Sequence, residues 1–166
     1  MTGAAALEAR LKILEDKQEI AQLLAMHPLA IDSGDGDFWM SNWTKDSVMD
    51  RTLDPEAHSG HYEGVYGWDT MLKEIKGPEL AASRKAGLMH LNTPPSIKLD
   101  GDKATATNYT ELIMAEGKGL RIQVVLANRW ELVRQNGRWM IGKRTMREMS
   151  HEESFSLMQG GLAKGD

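Results

Sequence analysis

The segment "MHPLAIDSGDGDFW" carries three carboxylates that could bind a metal ion, form a turn or take part in catalysis. An EF-hand calcium loop needs oxygen ligands at its first, third and fifth positions and Gly at its sixth. A loop that starts at Asp32 has Gly34 and Gly36 at its third and fifth positions, and one that starts at Asp35 has Trp39 at its fifth. Neither alignment supplies calcium ligands, so a turn and a catalytic site remain as interpretations.

A turn with a helix cap accounts for two of these carboxylates. Asp accepts hydrogen bonds from the first N–H groups of a helix, and "DSGDGDFWMSNW" has the composition of a turn followed by a short second helix. We therefore expect Asp35 or Asp37 to cap that helix. Asp32 alone is open to the same interpretation, and a catalytic role for it depends on a second group.

Two histidines are candidates for that second group, because His is the side chain most often used for proton transfer near neutral pH. His90 lies between Met89 and Leu91 in an apolar strand start and is predicted to be buried, either as a hydrogen-bonded core residue or as a base. His27 precedes Pro28 and is also suited to capping the carbonyls of a helix end.

The remaining histidines do not predict a metal site. His58 and His61, in "HSGHYEG", have a spacing that fits two metal ligands, but no third ligand is indicated. His151 lies in the polar "SHEES" and is expected to be solvated. No metal and no cofactor is predicted.

Three polar residues interrupt predicted strands. In "LRIQVVLANRWELV" the alternating set from Ile122 to Leu132 is apolar except for Asn128, so this set is predicted to face the interior. A buried amide needs hydrogen-bond partners, which the core or a ligand could provide. The preceding strand places Thr110 and Leu112 on one face, taken as interior.

The last strand holds the third of these polar residues. Arg144 shares a face with Met140 and Met146, opposite Trp139 and Ile141. By itself it would be a solvated charge at a sheet edge.

The order of elements indicates an α+β fold. Helical spacing covers the first ~25 residues, and the helix is expected to kink or end near Pro28. Residues 47–53 are a short predicted strand, and "GWDTMLKEIKGPELAASRKAG" predicts one or two helices broken at Gly77. From Leu88 onward, alternating segments separated by "DG", "EGKG" and "NG" predict an antiparallel meander. In the tail from Ser150, "HEESFSLM" could fold over a pocket mouth.

Length and composition limit the classes of partner. The chain has 166 residues, which suits one domain, with 20 basic and 24 acidic residues and no long run of either sign. Nucleic acid and anionic membranes are therefore not predicted partners. The absence of Cys excludes thiol catalysis, zinc thiolate sites and disulfides. No signal peptide or membrane segment is recognised, so we expect a cytoplasmic protein.

The order of several motifs resembles one family. A first helix that leads into "LAIDSGDGDFWMSNWTKDSVMD", a central His before "SIKLDGDKATA", and the terminal "NRWELVRQNGRWMIGKR" are similar to the SnoaL-like branch of the nuclear transport factor 2-like superfamily. The resemblance covers roughly residues 8–147. It implies a single domain over residues 1–166, with a tail at 150–166, built as a cone-shaped α+β barrel with N-terminal helices on a curved, mostly antiparallel sheet.

Within this superfamily the chain looks most like lindane dehydrochlorinase and scytalone dehydratase. Those enzymes pair an Asp near the end of the first helix with a His at the start of a central strand, and the two positions fall on Asp32 and His90. The resemblance also implies a leaving-group arginine at Arg144 and a polar pocket residue at His27. The substrate contacts that it implies are Asn92, Thr110, Leu112, Val124, Asn128, Trp43 and Met49. Pro94, Pro28 and His27 depart from the family pattern and leave the substrate open.

The resemblance thus implies a cofactor-independent lyase or isomerase that acts on a small cyclic or aromatic compound. His90 would remove a proton, Asp32 would orient it, Arg144 would stabilise negative charge, and His27 could protonate a departing hydroxyl. Dehydration, dehydrohalogenation, double-bond migration and carbon–carbon cleavage all remain open.

Two alternatives involve no catalysis by this chain. One is a ligand-binding or oligomerisation module of the same fold, and the other is a structural role like that of an oxygenase β-subunit. A homodimer or homotrimer is also expected, formed through the outer face of the sheet with Trp130 or Trp139 contributing.

Overall fold

The computed structural model describes residues 3–51 and 64–162, which form five helices and seven strands. None of the described helices is both long and apolar enough to cross a membrane. His58 and His61, whose spacing fits two metal ligands without a third, lie outside the described residues. The elements are α1 (Gly3–Ser33), α2 (Gly36–Ser41), β1 (Trp43–Arg51), β2 (Gly64–Gly67), α3 (Trp68–Ile75), α4 (Pro78–Lys85), β3 (Leu88–Asn92), β4 (Ser96–Asp100), β5 (Lys103–Glu116), β6 (Gly119–Gln135), β7 (Arg138–Glu148) and α5 (Glu153–Gly161).

The sheet has the strand order β2-β1-β7-β6-β5-β3, and β4 pairs with β5 beside β3. Every pair of neighbouring strands is antiparallel except β1 and β7, which run parallel. The sheet is curled but not closed, with α1 packed against β3 and β4 and α3 packed against β1 and β2. The predicted α+β architecture, with helices on a curved and mostly antiparallel sheet, is confirmed.

The sequence predicts a kink or an end of the first helix near Pro28; the helix does not end there, since α1 continues to Ser33. Pro28 removes one N–H donor, yet a helix interior gains most of its stability from tertiary packing. The buried side of α1 extends past the proline to Ala30 and Ile31. This continuation places Asp32 in the last turn of the helix.

The two other carboxylates of the predicted turn are structural. Asp35 caps α2, since its Oδ1 accepts a hydrogen bond of 3.0 Å from the backbone N–H of Phe38. Asp37 forms an exposed ion pair with Lys76, which follows α3. Gly34 has a φ of 81°, a left-handed conformation that glycine adopts without a Cβ clash.

A bulge in β7 changes which of its residues face the interior. Across the β6–β7 pair, Glu131 lies opposite Lys143 and Leu132 lies opposite Ile141, so Gly142 has no partner residue. An extra residue on one strand reverses the alternation beyond it. The predicted shared face of Met140, Gly142 and Arg144 is therefore wrong. The residues of this strand that are buried on the inner side are Trp139, Ile141, Arg144 and Met146.

A second bulge affects β6 and corrects the predicted position of Ile122. Val124 lies opposite Leu112 and Ile122 lies opposite Ile113, so Gln123 has no partner residue. Beyond this bulge Ile122 is 55% exposed. The predicted interior face holds from Val124 to Leu132 but not at Ile122.

The predicted surface role of two tryptophans is wrong, because Trp130 and Trp139 are 0% and 2% exposed in the single chain.

The C-terminal segment also differs from expectation, since α5 packs on the outer face of β5 and β6 instead of covering a pocket mouth. Gly161 fits closely there, because a Cβ at this position would lie 2.4 Å from the Cβ of Thr107. Part of the outer face is thus covered by the chain itself, and self-association stays a prediction.

One buried ion pair connects α1 to the end of the meander. Asp16 is 7% exposed and accepts hydrogen bonds from Lys12, Arg134 and the indole of Trp139. Burial alone would raise the pKa of Asp16, but the hydrogen bonds from Lys12, Arg134 and Trp139 outweigh it and lower this pKa below its ordinary value. The ionised carboxylate therefore stabilises the fold.

We expect Asp16→Asn to lower the free energy of unfolding by about 1–3 kcal/mol at pH 7, because Arg134 loses its buried charged partner and keeps only the more exposed Glu19 and Asp102. A lowered carboxyl pKa contributes stability above the unfolded value of about 3.9 and loses it as the pH falls through the folded value. The deficit of the variant should therefore shrink in strong acid. Urea unfolding at pH 7 and in strong acid measures the loss of unfolding free energy, with Glu15→Gln at an exposed position as the control. An equal loss at both pH values would contradict the stabilising role of the ionised Asp16.

Candidate active site

A cavity of about 110 Å³ lies between the helices and the curled sheet. This volume is below the roughly 300–1,000 Å³ of sites for drug-sized ligands, so it suits a small compound. Most of its described lining is apolar and comes from α1 to α4 and the sheet, including Ile31, Met71, Leu88, Leu126 and Met146. Its polar and charged lining side chains are Arg51, Glu74, His90, Thr110 and Arg144.

Asp32 and His90 meet at one wall of this cavity. The Nδ1 atom of His90 lies 2.7 Å from Oδ1 of Asp32, and the backbone N–H of His90 donates a 2.8 Å hydrogen bond to Oδ2. The last turn of α1 supplies the carboxylate, and the centre of β3 supplies the imidazole. The side chains are 22% and 12% exposed, respectively. Both carboxylate oxygens are therefore used to hold one residue.

These contacts determine the tautomer of a neutral His90. An ionised carboxylate only accepts hydrogen bonds, so the proton must be on Nδ1. The lone pair is then on Nε2. His90 lines the cavity, and its ring can accept a proton at that atom.

Arg144 lines the cavity although its side chain is almost fully buried, at 4% exposure. Its Nε and Nη2 donate to Oδ1 of Asn128 at 3.1 and 2.9 Å, respectively. Nη2 also donates to Oγ1 of Thr110 at 3.1 Å, and Nη1 donates to Nε2 of His27 at 3.2 Å. The guanidinium also lies 4.2 Å from the centre of the Trp130 ring. All of these acceptors are neutral, and no carboxylate among the described residues pairs with Arg144.

Burial, with a further contribution from the charge of Arg51, lowers the pKa of Arg144 to about 9. The group is thus still a cation at neutral pH. Its four hydrogen bonds leave one N–H of Nη1 without an acceptor in the described part of the chain. A buried cation without a counter-ion favours an anion, or a developing negative charge, in the adjoining cavity.

A chain of hydrogen bonds supports Arg144 from behind. Thr110 donates to Oδ1 of Asn92 at 2.6 Å and accepts from the amide of Asn128 at 2.9 Å, and Asn92 donates to the carbonyl of Leu24 in α1. Thr110 lines the cavity, whereas Asn92 and Asn128 lie behind it. These two amides hold the polar wall in place, which differs from the direct substrate contact that the resemblance implied.

His27 is 3% exposed and does not line the cavity. Its Nε2 accepts hydrogen bonds from the indole of Trp39 at 3.1 Å and from Arg144 at 3.2 Å. Burial lowers the pKa of His27 well below its ordinary value, and the charge of Arg144 lowers it further. A neutral ring that accepts from Arg144 does not fit the expected role of proton donor, so we describe His27 as a support for Arg144.

The other predicted contact residues divide between the cavity and the core. Met49 and Leu112 line the cavity. Trp43 is 1% exposed in the core, where its ring centre lies 5.8 Å from that of His27, and Val124 packs against the same core. Trp43 and Val124 therefore lie behind the residues that line the cavity.

Two charged lining residues were not predicted from the sequence, although each has a signal there. Arg51 follows Ser47 and Met49 at the strand spacing of two, and those neighbours are buried. Glu74 lies three residues after Met71 and one before Ile75, on the buried side of α3. Burial raises the pKa of the Glu74 carboxyl, against an opposing effect of Arg51.

We expect His27 to make folding sensitive to acid. A histidine whose pKa is lowered in the folded state stabilises the protein fully above its unfolded pKa of about 6.5, and this contribution is lost as the pH falls below that value. Gln at position 27 can still accept from Arg144 but does not titrate. His27→Gln should therefore reduce the fall in unfolding free energy between pH 6.5 and 5 by up to about 1.4 kcal/mol per pH unit. Urea titrations across this range measure the slope; an unchanged slope contradicts the assignment.

Comparisons with solved structures agree on the fold. An NTF2-like protein with a cystatin-like fold from Novosphingobium aromaticivorans is 25% identical, with 96% of this chain and 99% of that chain covered and a TM-score of 0.83. A protein of unknown function from Mycobacterium tuberculosis is 22% identical, with 95% and 90% covered and a TM-score of 0.65. A candidate aromatic ring hydroxylase from Novosphingobium aromaticivorans is 20% identical, with 83% and 92% covered and a TM-score of 0.62.

The search of curated proteins found no match. The comparison with protein families found a match: the SnoaL-like domain matches residues 12–145. This span runs from α1 to β7 and includes Asp32, His90 and Arg144. With this match over most of its length and the NTF2-like fold of its structural neighbours, the chain belongs to the SnoaL-like domain family.

Proposed function

We propose that the protein is a cofactor-independent lyase or isomerase that removes a proton from carbon in a small cyclic or aromatic compound. The observation that carries the proposal is the His90–Asp32 pair at the wall of an apolar cavity, with Nδ1 of His90 2.7 Å from the carboxylate. Nε2 of His90 is the base, and Asp32 stabilises the imidazolium as it forms.

Arg144 supports the proposal from the adjoining wall. Removal of a proton next to a carbonyl or on a phenol-like ring creates negative charge on oxygen, and an elimination places charge on the leaving group. A preorganised cation in a site with little water stabilises such charge more in the transition state than in the substrate. The N–H of Arg144 Nη1 that has no acceptor among the described residues is suited to this role, and Asn128 holds the guanidinium in place.

The cavity favours a compact apolar substrate. Its lining is largely Met, Leu and Ile, which adapt to an apolar ring, while its polar groups are few. A non-catalytic module of the same fold would be expected to lack the His90–Asp32 contact or a cavity for a ligand. The presence of both features supports an enzyme over a passive binding or oligomerisation module.

We expect His90→Ala to lower kcat/KM by about 10²–10⁴-fold, the usual contribution of a general base. The assay follows the rise in ultraviolet absorbance as β-substituted cyclohexanones are converted to the conjugated enone. Asp32→Asn should lower kcat/KM by a smaller factor, because the imidazole stays in place but its protonated form loses a charged partner.

His151→Ala, at the start of α5 on the far side of the sheet, is the matched control and should keep wild-type activity. Wild-type activity in His90→Ala would rule out the proposed base.

A further inference from the structure

We propose that Glu74 is a second proton-transfer group of this cavity and protonates a leaving hydroxyl while His90 removes the proton from carbon. The inference rests on the proposed function and narrows it, since it selects dehydration of a small β-hydroxy carbonyl compound among the eliminations that the site could perform. Neither the family resemblance nor the comparisons point to Glu74.

The position of Glu74 is the first argument. In the strand order β2-β1-β7-β6-β5-β3, three strands separate β1 from β3. His90 is on β3, whereas Glu74 is on α3, which packs against β1 and β2 at the other end of the sheet. The curl of the sheet brings both ends to one cavity, and both side chains line it. A substrate held between them can therefore be deprotonated by one group and protonated by the other.

The second argument is that a dehydration needs an acid which the other lining groups do not supply. Hydroxide is a poor leaving group unless it is protonated as it departs. Among the described polar lining residues, the hydroxyl proton of Thr110 is donated to Asn92, and Arg144 is held as a cation by neutral acceptors. Arg51 also lines the cavity, but a guanidinium does not give up its proton in proteins. His27 lies behind the cavity with Nε2 occupied as an acceptor. The carboxyl of Glu74 remains as the proton donor.

The surroundings of Glu74 favour its protonated form. Burial raises the pKa of the carboxyl and outweighs the opposing effects of the Arg51 charge and of a hydrogen bond with Tyr66, so the group holds its proton to a higher pH than a solvated glutamate. The groups that act on the pKa of Glu74 come from three neighbouring elements: Arg51 of β1 and Tyr66 of β2 lower it, and Glu79 of α4 raises it. From α2, Asp37 pairs with Lys76 at the end of α3.

The step is balanced without a co-reactant. Nε2 of His90 takes the proton from the carbon next to the carbonyl, the electrons of that C–H bond form the C=C bond, and the C–O bond to the hydroxyl breaks. The departing oxygen receives the proton of Glu74 and leaves as water. His90 then carries an extra proton and Glu74 is ionised, and solvent exchange returns the proton from one to the other. No net oxidation or reduction occurs.

The experiment compares two leaving groups on one ring, β-hydroxycyclohexanone and β-chlorocyclohexanone. Chloride departs without a proton, so only the alcohol should need Glu74. We expect Glu74→Gln to lower kcat/KM for the alcohol by about 10²-fold or more and to leave the chloride reaction unchanged. The chloride reaction also reports that the variant is folded. Glu74→Asp keeps a carboxyl and should restore part of the lost activity on the alcohol.

The pH profile gives a second readout. With wild-type protein, activity on the alcohol should fall as the pH rises through the pKa of Glu74, because the acid loses its proton. This alkaline limb should be missing from the chloride reaction and from Glu74→Gln. Glu79→Gln, on the exposed side of α4, removes a neighbouring charge without removing a lining carboxyl, and it should keep the leaving-group preference of the wild type.

The outcomes separate the two proposals. If Glu74→Gln lowers both reactions equally, or neither, while His90→Ala abolishes both, the base assignment stands and the role of Glu74 is wrong. If His90→Ala keeps wild-type activity, or if the wild-type protein converts neither compound, the proposed function fails and the role of Glu74 fails with it.

Discussion

The buried guanidinium of Arg144 is the interaction on which the polar half of the structure depends. A cation taken out of water is tolerated only when its N–H groups are satisfied, and here the acceptors are Asn128, Thr110 and His27 rather than a carboxylate. This arrangement requires His27 to be neutral, and it sets the direction of the Thr110 hydroxyl. Asn92 then connects this wall to the backbone of α1. One charge thereby determines the protonation or orientation of several uncharged neighbours.

The charged groups around the cavity are supplied by different helices and strands. The end of α1 and the centre of β3 hold the carboxylate and imidazole, β7 holds Arg144, and β1 with α3 holds Arg51 and Glu74. Between these groups the lining is apolar, which strengthens each electrostatic interaction and limits the water that could compete with it. A small ring placed in this space would meet a base, a cation and a carboxyl from different directions.

The positions that sequence alternation predicted wrongly share a physical cause. In β6 and β7 a single unpaired residue, Gln123 and Gly142 respectively, reverses the faces of the strand, and a bulge depends on the partner strand as well as on the local sequence. The possible helix end at Pro28 is also absent, because packing of the surrounding helix against the sheet offsets the missing hydrogen bond. Glu74 was missed although its helical spacing placed it beside two buried residues, since a charged residue on a short helix is more often solvated.

Most of the order of helices and strands could be predicted from the sequence, together with the hairpin positions, a helix cap at Asp35 or Asp37 and, through the family resemblance, the pairing of Asp32 with His90. These features follow from local periodicity and turn chemistry, and from a family spacing in which the helix end and the strand start lie at set distances along the chain. The sequence could not predict which polar groups face the cavity and which lie behind it, because burial and hydrogen bonding depend on several elements together. The curl of the sheet, which brings β1 and β3 to one cavity, is the reason that Arg51 and Glu74 join His90 there.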